Sequence, residues 1–152
     1  MNIAIIGGGA AGLMAGGVLF NRGYDVTIFD GNEKCGKKIY ITGKGRCNVT
    51  NNCQIEEYLA NVVHGDKFMM SAINNFSTQD TINFFENLGI KLKTERGNRV
   101  FPVSDKASDI IKALNTHCKN CNIKLNEGVK YIEKMDDCFI VKSDIGKYQF
   151  DR

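Results

Sequence analysis

The chain has 152 residues, 43% of them hydrophobic and 24% charged, which is the make-up of one globular domain and excludes disordered and collagenous chains. Twenty Lys and Arg against 17 Asp and Glu leave a formal charge of +3, too near balance to point to nucleic acid, and no apolar run approaches the ~20 residues of a membrane span. Six cysteines behind an N-terminus that lacks a basic lead and a cleavage site predict reduced thiols in a cytoplasmic protein rather than a disulfide framework.

In chain order, Ile3, Ile5 and Ile6 predict a strand, Leu13 to Phe20 an apolar helix and Val26 to Phe29 a second strand. Residues 31–53 are glycine-rich and basic, and predict a long loop with short strands at most; such loops in compact domains carry function or are disordered. Residues 54–89 are mostly helical in pattern. Ser77 with Asp80 gives a capping box, Ile82, Phe85 and Leu88 a stripe, and Gly89 a C-terminal cap. Lys91 to Phe101 predicts a hairpin turning at Gly97-Asn98. From Ser104 a helix places Ala107, Ile110, Ile111, Leu114 and Cys118 on one face, and a short strand follows at 123–125. Val129–Glu133, Cys138–Lys142 and Lys147–Phe150 alternate as a three-stranded meander.

The expected fold is therefore α/β and Rossmann-like: a parallel sheet from the strands near 3–6, 25–29 and 123–125, helices on one face and the β-meander on the other. Residues 1–53 and 102–152 would form this core, and residues 54–101 a small lobe of helices and hairpin.

Gly7-Gly8-Gly9-Ala10-Ala11-Gly12 satisfies G-x-G-x-x-G. The hexamer alone is weak, but here it follows a strand, opens a helix and precedes a second strand that ends at Asp30, 18 residues past Gly12. Gly7 permits the tight turn, Gly9 lets backbone approach a pyrophosphate, and Gly12 lets helix pack on strand. The helix N-terminus offers amide donors and a positive dipole end to phosphate. A carboxylate at Asp30 accepts ribose hydroxyls and repels a 2′-phosphate, favouring FAD or NAD over NADP at this position. A glycine turn in an unrelated α/β domain, with Asp30 merely solvated, is the bland alternative.

From Lys34 to Arg46 there are five basic residues, Lys34, Lys37, Lys38, Lys44 and Arg46, and no acid. Such a stretch raises local affinity for phosphate or is a solvated loop; Gly36, Gly43 and Gly45 favour close backbone approach to a ligand.

The run Gly36-Lys37-Lys38-Ile39-Tyr40-Ile41-Thr42-Gly43-Lys44-Gly45-Arg46-Cys47-Asn48-Val49-Thr50-Asn51 follows the N-terminal glycine turn. A second block reads Gly97-Asn98-Arg99-Val100-Phe101-Pro102-Val103-Ser104-Asp105-Lys106-Ala107. Together these resemble the bacterial NAD(P)/FAD-dependent oxidoreductases, a flavoprotein group with aminoacetone oxidase-like and 3-dehydro-bile acid Δ4,6-reductase-like members. The resemblance runs the length of the chain. Asp30 departs mildly from it, since glutamate is commoner there.

The resemblance implies FAD, with NAD(P)H as electron donor and a small-molecule substrate; the charge balance and the lack of a long apolar run argue for neither nucleic acid nor membrane as partner. Gly7, Gly9, Ala11 and Gly12 would meet the pyrophosphate and Asp30 the adenosine ribose. Lys37 and Lys38 would lie near the adenosine and phosphates. Thr42, Gly43, Gly45, Arg46, Cys47 and Asn48 would run toward the flavin, and the backbone amide of Val129 would meet adenine. The implied reaction is reduction of an activated carbon–carbon double bond, or oxidation with oxygen as acceptor. No residue pair has a defensible acid–base role, so no catalytic residue is assigned. Members of this group are more than twice as long. The chain therefore resembles an N-terminal portion, expected to bind FAD weakly or not at all by itself and to have no turnover. A non-catalytic module binding NAD or another adenine nucleotide is the alternative.

Cys47 and Cys53 suggest a flavin disulfide reductase pair, with Arg46 depressing a thiol pKa. Five residues intervene rather than the four of that class, so unpaired cysteines fit better. Cys118-Lys119-Asn120-Cys121 has C-x-x-C spacing but lacks a second ligand pair for zinc, and Cys118 lies on an apolar stripe, which predicts a buried structural thiol. His64 and His117 are isolated. No metal site is expected.

Overall fold

The computed structural model describes residues 1–152. In chain order its elements are β1 (Asn2–Ile6), α1 (Ala10–Asn21), β2 (Asp25–Phe29), α2 (Lys37–Ile41), a 3-10 turn (Thr42–Gly45), β3 (Thr50–Asn51), α3 (Ile55–Ala60), α4 (Asp66–Asn75) and α5 (Thr78–Asn87). Then come β4 (Leu92–Glu95), β5 (Arg99–Pro102), α6 (Ala107–His117), β6 (Asn122–Lys124), β7 (Val129–Lys134), β8 (Phe139–Ser143) and β9 (Lys147–Phe150). The chain forms two compact units, Met1–Ile39 with Leu114–Arg152, and Tyr40–Ala113.

The first unit holds a parallel sheet in the order β1-β2-β6. Ile3 lies opposite Val26 and Ile6 opposite Phe29, while Phe29 pairs on its other side with Lys124. Alternation along β2 sends successive side chains to opposite faces. Ile28 is fully buried against α1, where Gly16 brings the helix so close that a Cβ would stand 2.7 Å from Ile28 Cδ1. Phe29 faces the other way, into a cluster with Val141 and Phe150 flanked by Ala4, Val129 and Tyr148. Its ring meets Phe150 edge-on at 5.8 Å and Tyr148 at 5.4 Å, geometries that aromatic quadrupoles favour. The antiparallel meander β7-β8-β9 thus covers one sheet face and α1 the other, as the alternation predicts. Asp151 and Arg152 run along the remaining edge of β1, with the Asp151 amide on the Asn2 carbonyl (3.0 Å) and the Ala4 amide on the Arg152 carbonyl (2.9 Å).

The second unit holds the antiparallel sheet β3-β5-β4 and helices α3 to α5. The hairpin turns where expected, with Gly97 and Asn98 at φ of 73° and 57°. The capping box is formed in full: the Ser77 hydroxyl accepts the Asp80 amide at 3.1 Å, and the Ser77 amide donates to Asp80 at 2.8 Å. Ile82 and Phe85 are buried.

The segment after β2 departs from expectation. It contains the five-residue α2 and the 3-10 turn, pieces too short for apolar periodicity to register. The last helix starts at Ala107 rather than Ser104, because Asp105 adopts φ of 55° and a left-handed residue cannot continue a right-handed helix.

Candidate dinucleotide site

The glycine turn joins β1 to α1. Gly7 sits at φ of 104°, open to glycine and strained for any other residue, and its amide donates to the Phe29 carbonyl at 2.8 Å. A Cβ on Gly12 would collide with the Gly7 carbonyl oxygen, so only glycine lets α1 start this close to the turn. Gly9 is the N-cap, and no side chain caps the helix. Gly9, Ala10 and Ala11 are exposed, and a Cβ on Gly9 would meet nothing within 4 Å. The first-turn amides of a 12-residue helix therefore face open space with their donors uncapped. The residues present fit a pyrophosphate.

Asp30 lies just past β2, and its carboxylate already has partners. One oxygen accepts the Gly8 amide at 2.8 Å; the other accepts the Asn32 amide and the Asn32 side chain, both at 2.8 Å. Burial pushes the Asp30 carboxyl up, but the Asn32 and Gly8 donors and the charge of Lys37 outweigh it, leaving the pKa below the ordinary 3.8. A carboxylate has about four acceptor positions, so room remains for a hydroxyl. Gly8, whose amide this is, packs against Cys35, and the Gly36 amide returns to the Gly8 carbonyl at 2.9 Å. Burial, then the Asp30 charge, pushes the Cys35 thiol up.

Lys37 reaches Glu33 at 3.2 Å and Asn32 at 3.1 Å. Counting charges from Lys34 onward leaves out Glu33, the acid that takes this lysine. Lys38 is exposed on α2. Val129 opens β7, and Gly128 before it approaches Gly31 so closely that a Cβ on Gly31 would stand 3.5 Å from the Gly128 Cα. The first unit thus gathers Gly7, Gly9, Ala11, Gly12 and Asp30 around one turn, with Val129 following the Gly31–Gly128 approach.

Thr42, Gly43, Gly45, Arg46, Cys47 and Asn48 belong to the second unit. Gly43, Lys44, Gly45 and Cys47 all have left-handed backbone, at φ of 55°, 57°, 85° and 61°. Arg46 grips Glu95 through two nitrogens, each at 3.0 Å, and Asp105 at 3.0 Å, and its guanidinium lies 4.1 Å from the Phe101 ring centre. Lys93 closes the group, 2.7 Å from Asp105 and 3.3 Å from Glu95. The Arg46 hydrogen bonds hold the Glu95 carboxyl below its ordinary range, and Lys93 does the same for Asp105. Arg46 is therefore committed to carboxylates that lie far away in sequence.

All six cysteines are free. Cys47 is buried, and burial raises its thiol pKa, opposed only by a hydrogen bond with Thr42. The expected depression by Arg46 is not among the influences on this thiol, and the Arg46 guanidinium is bound to Glu95 and Asp105 instead. Cys118 is fully buried, gives its thiol hydrogen bond to the Leu13 carbonyl at 2.7 Å, and has its pKa pushed up to about 12, mainly by burial. It is a structural thiol. Gly8, Asn32 and Glu127 were not singled out by the sequence pattern. Asn32 was the most legible of them, since a small polar residue two after an aspartate is a common turn partner.

No helix is long and apolar enough to cross a membrane. Residues 1–152 match the family model of the HI0933-like protein Rossmann domain. The chain is 32% identical over 156 residues to the 3-dehydro-bile acid delta(4,6)-reductase of Clostridium scindens, covering 99% of this chain and 37% of that protein. It is 32% identical over 136 residues to the ribosomal RNA dihydrouridine synthase of Haemophilus influenzae, covering 88% and 33% respectively. It thus spans about a third of the length of the curated relatives it matches. Among solved structures, an open flavocytochrome c3 fumarate reductase shares the fold with a TM-score of 0.70 at 21% identity, over 97% of this chain and 31% of that one. The glycine turn, the parallel β1-β2-β6 sheet and the match over its whole length together make the chain a member of the HI0933-like Rossmann-domain family.

Proposed function

We propose that this chain is the N-terminal, FAD-binding portion of a cytoplasmic oxidoreductase that takes hydride from NAD(P)H and delivers it through FAD to an activated carbon–carbon double bond. The observation that carries the reading is the uncapped, open N-terminus of α1 behind the Gly7–Gly12 turn, with the Asp30 carboxylate fixed beside it on the Gly8 amide. When bound, FAD supplies the hydride-carrying isoalloxazine ring.

In this reading the amides around Gly9 and Ala11 hold the pyrophosphate, with Gly7 and Gly12 shaping the turn. Asp30 accepts a ribose hydroxyl at its remaining lone pair and repels a 2′-phosphate. The Val129 amide meets adenine, and Lys37 and Lys38 supply positive charge nearby. Thr42, Gly43, Gly45, Cys47 and Asn48 carry the flavin-side loop, which Arg46 holds in shape rather than contacting phosphate.

The names of the relatives support the acceptor class. A dihydrouridine is a uridine whose ring double bond, conjugated to a carbonyl, has been reduced, and a Δ4,6-reductase acts on double bonds in a 3-oxo ring system. Conjugation to a carbonyl is the shared requirement, since it lets the acceptor stabilise the charge that hydride addition creates. The formal charge of +3 is too near balance to choose between a small molecule and an RNA as the acceptor.

Titration of the chain with FAD, ADP and FMN tests the reading. ADP should bind, FAD only weakly to this N-terminal portion by itself, and FMN should not bind. Gly9→Ala, which meets nothing within 4 Å, should leave unfolding within about 0.5 kcal/mol of the parent while weakening both ligands about tenfold or more. ADP binding without FAD binding would turn the reading toward a nucleotide module. FMN binding as tight as FAD, or no binding of FAD and ADP at all, would refute it.

A further inference from the structure

Glu127 is 4% exposed, a carboxylate buried outside the glycine turn. Buried charges persist only when paired and hydrogen-bonded, and Glu127 is both. The Ser143 hydroxyl donates to it at 2.6 Å, and Lys124 stands 3.7 Å away. The Tyr148 hydroxyl also bonds it, and Lys124 in turn donates to that hydroxyl at 3.4 Å while lying 4.6 Å from the ring centre.

The backbone of the same residues brackets Asp30. The Asp30 amide donates to the Lys124 carbonyl, and the Glu127 amide donates to the Asp30 carbonyl, both at 2.9 Å. Asn126 donates to the Asn32 carbonyl, also at 2.9 Å. Lys124 and Glu127 are thus the two ends of a turn, through left-handed Asn126, that grips Asp30 on both its polar backbone groups. Their ion pair closes the turn. Directly after it, Gly128 meets Gly31 and leads into Val129.

We propose that Glu127 is a positioning residue for the adenosine end of the dinucleotide site, acting through Asp30 and through the Gly128–Val129 backbone, with Lys124 and Ser143 as its partners. This rests on the reading that the chain binds an adenine dinucleotide. Preorganisation is the physical basis: a carboxylate and an amide held in place before binding spare the ligand the cost of ordering them. Glu127 reaches the pyrophosphate amides of α1 only at second hand, through Asp30 and the Gly8 amide. Its loss should therefore weaken recognition of adenosine and leave recognition of phosphate alone.

The test compares Glu127→Ala, Glu127→Gln and Ser143→Ala with the parent, measuring affinity for ADP and for inorganic pyrophosphate together with amide hydrogen exchange. Glu127→Ala should weaken ADP about tenfold with pyrophosphate unchanged. Exchange at the Asp30 and Val129 amides should speed up while Val100, in the other unit, keeps its rate. Glu127→Gln retains an acceptor for Ser143 and should recover most of the ADP affinity. Ser143→Ala, the milder change should Glu127→Ala not fold, should cost ADP about threefold. Equal losses for ADP and pyrophosphate, with faster exchange at Val100 as well, would mean general destabilisation and overturn the proposal. Unchanged ADP affinity with unchanged exchange would overturn it too. If the parent binds no ADP, the dinucleotide reading fails by itself, and exchange at Asp30 and Val129 still decides whether Glu127 positions them.

Discussion

Two glycine-rich stretches of this chain look alike in sequence and are built on different physics. The turn from Gly7 to Gly12 is shaped by backbone sterics: a positive φ at Gly7, no room for a Cβ at Gly12, and one carboxylate, Asp30, on the Gly8 amide. The loop from Thr42 to Asn48 also takes left-handed backbone, but two of those residues, Lys44 and Cys47, are not glycine. Its only arginine is held by Glu95, Asp105 and the Phe101 ring. The first stretch is made by what is missing from its side chains, the second by what distant side chains supply. Glycine spacing can thus be read as geometry, whereas a run of basic residues cannot be read as a phosphate site until its acids are located.

Substitutions can break this contrast. The largest effect is expected from Gly12→Ala. The added methyl meets a backbone oxygen that cannot step aside, so urea unfolding should show a loss of about 3 kcal/mol. A loss below about 1 kcal/mol would mean that the turn yields and that its glycines are not steric necessities.

Asp30→Asn comes next. An amide keeps one acceptor oxygen but turns an NH2 toward either the Gly8 amide or the Asn32 donors, at a cost of about 2 kcal/mol. The parent's pH dependence gives a second reading of the same residue. Its folded carboxyl titrates below the ordinary 3.8, so the stabilisation is complete above that value and is lost as pH falls through the folded pKa. Asp30→Asn should flatten that part of the acid-unfolding curve. An unaltered acid limb would remove the carboxylate from the account of the turn.

The smallest effect belongs to Arg46→Met. The Arg46 group is about one-third exposed, so its ion pairs are partly screened. The unfolding midpoint should fall modestly, and the difference from the parent should shrink in 1 M salt. Glu95→Gln added on top should cost little more, since the pair is already broken. Full additivity of the two changes would show that the arginine stabilises the loop through Phe101 instead.

Much of the fold was legible in the sequence because its signals are local. The β1 and β2 apolar runs, the Ser77–Asp80 capping box and the Gly97-Asn98 turn depend on residues a few positions apart, where backbone geometry fixes who meets whom. The meander was legible through its two-residue alternation. The short α2 was not, because five residues carry too few apolar positions to show a period. In the candidate site, Gly7, Gly9, Gly12 and Asp30 could be picked out because a strand, a turn and a helix impose a fixed spacing on them. Glu127 could not. Nothing in Asn126-Glu127-Gly128 distinguishes an exposed turn acid from a buried one. Its burial follows from Ser143 and Tyr148, which the meander brings back to it.

The sequence by itself determined where the turn lies, which way the first strands run and which residues a phosphate can approach, because those follow from sterics and from amides that every backbone carries. Tertiary structure decided which charges are free and which are spent. Arg46 meets Glu95 across 49 residues and Asp105 across 59, distances at which the order of residues along the chain imposes no geometry. Only the packed β-hairpin and the turn before α6 bring those carboxylates within 3.0 Å, where Coulomb attraction and hydrogen-bond directionality make the choice.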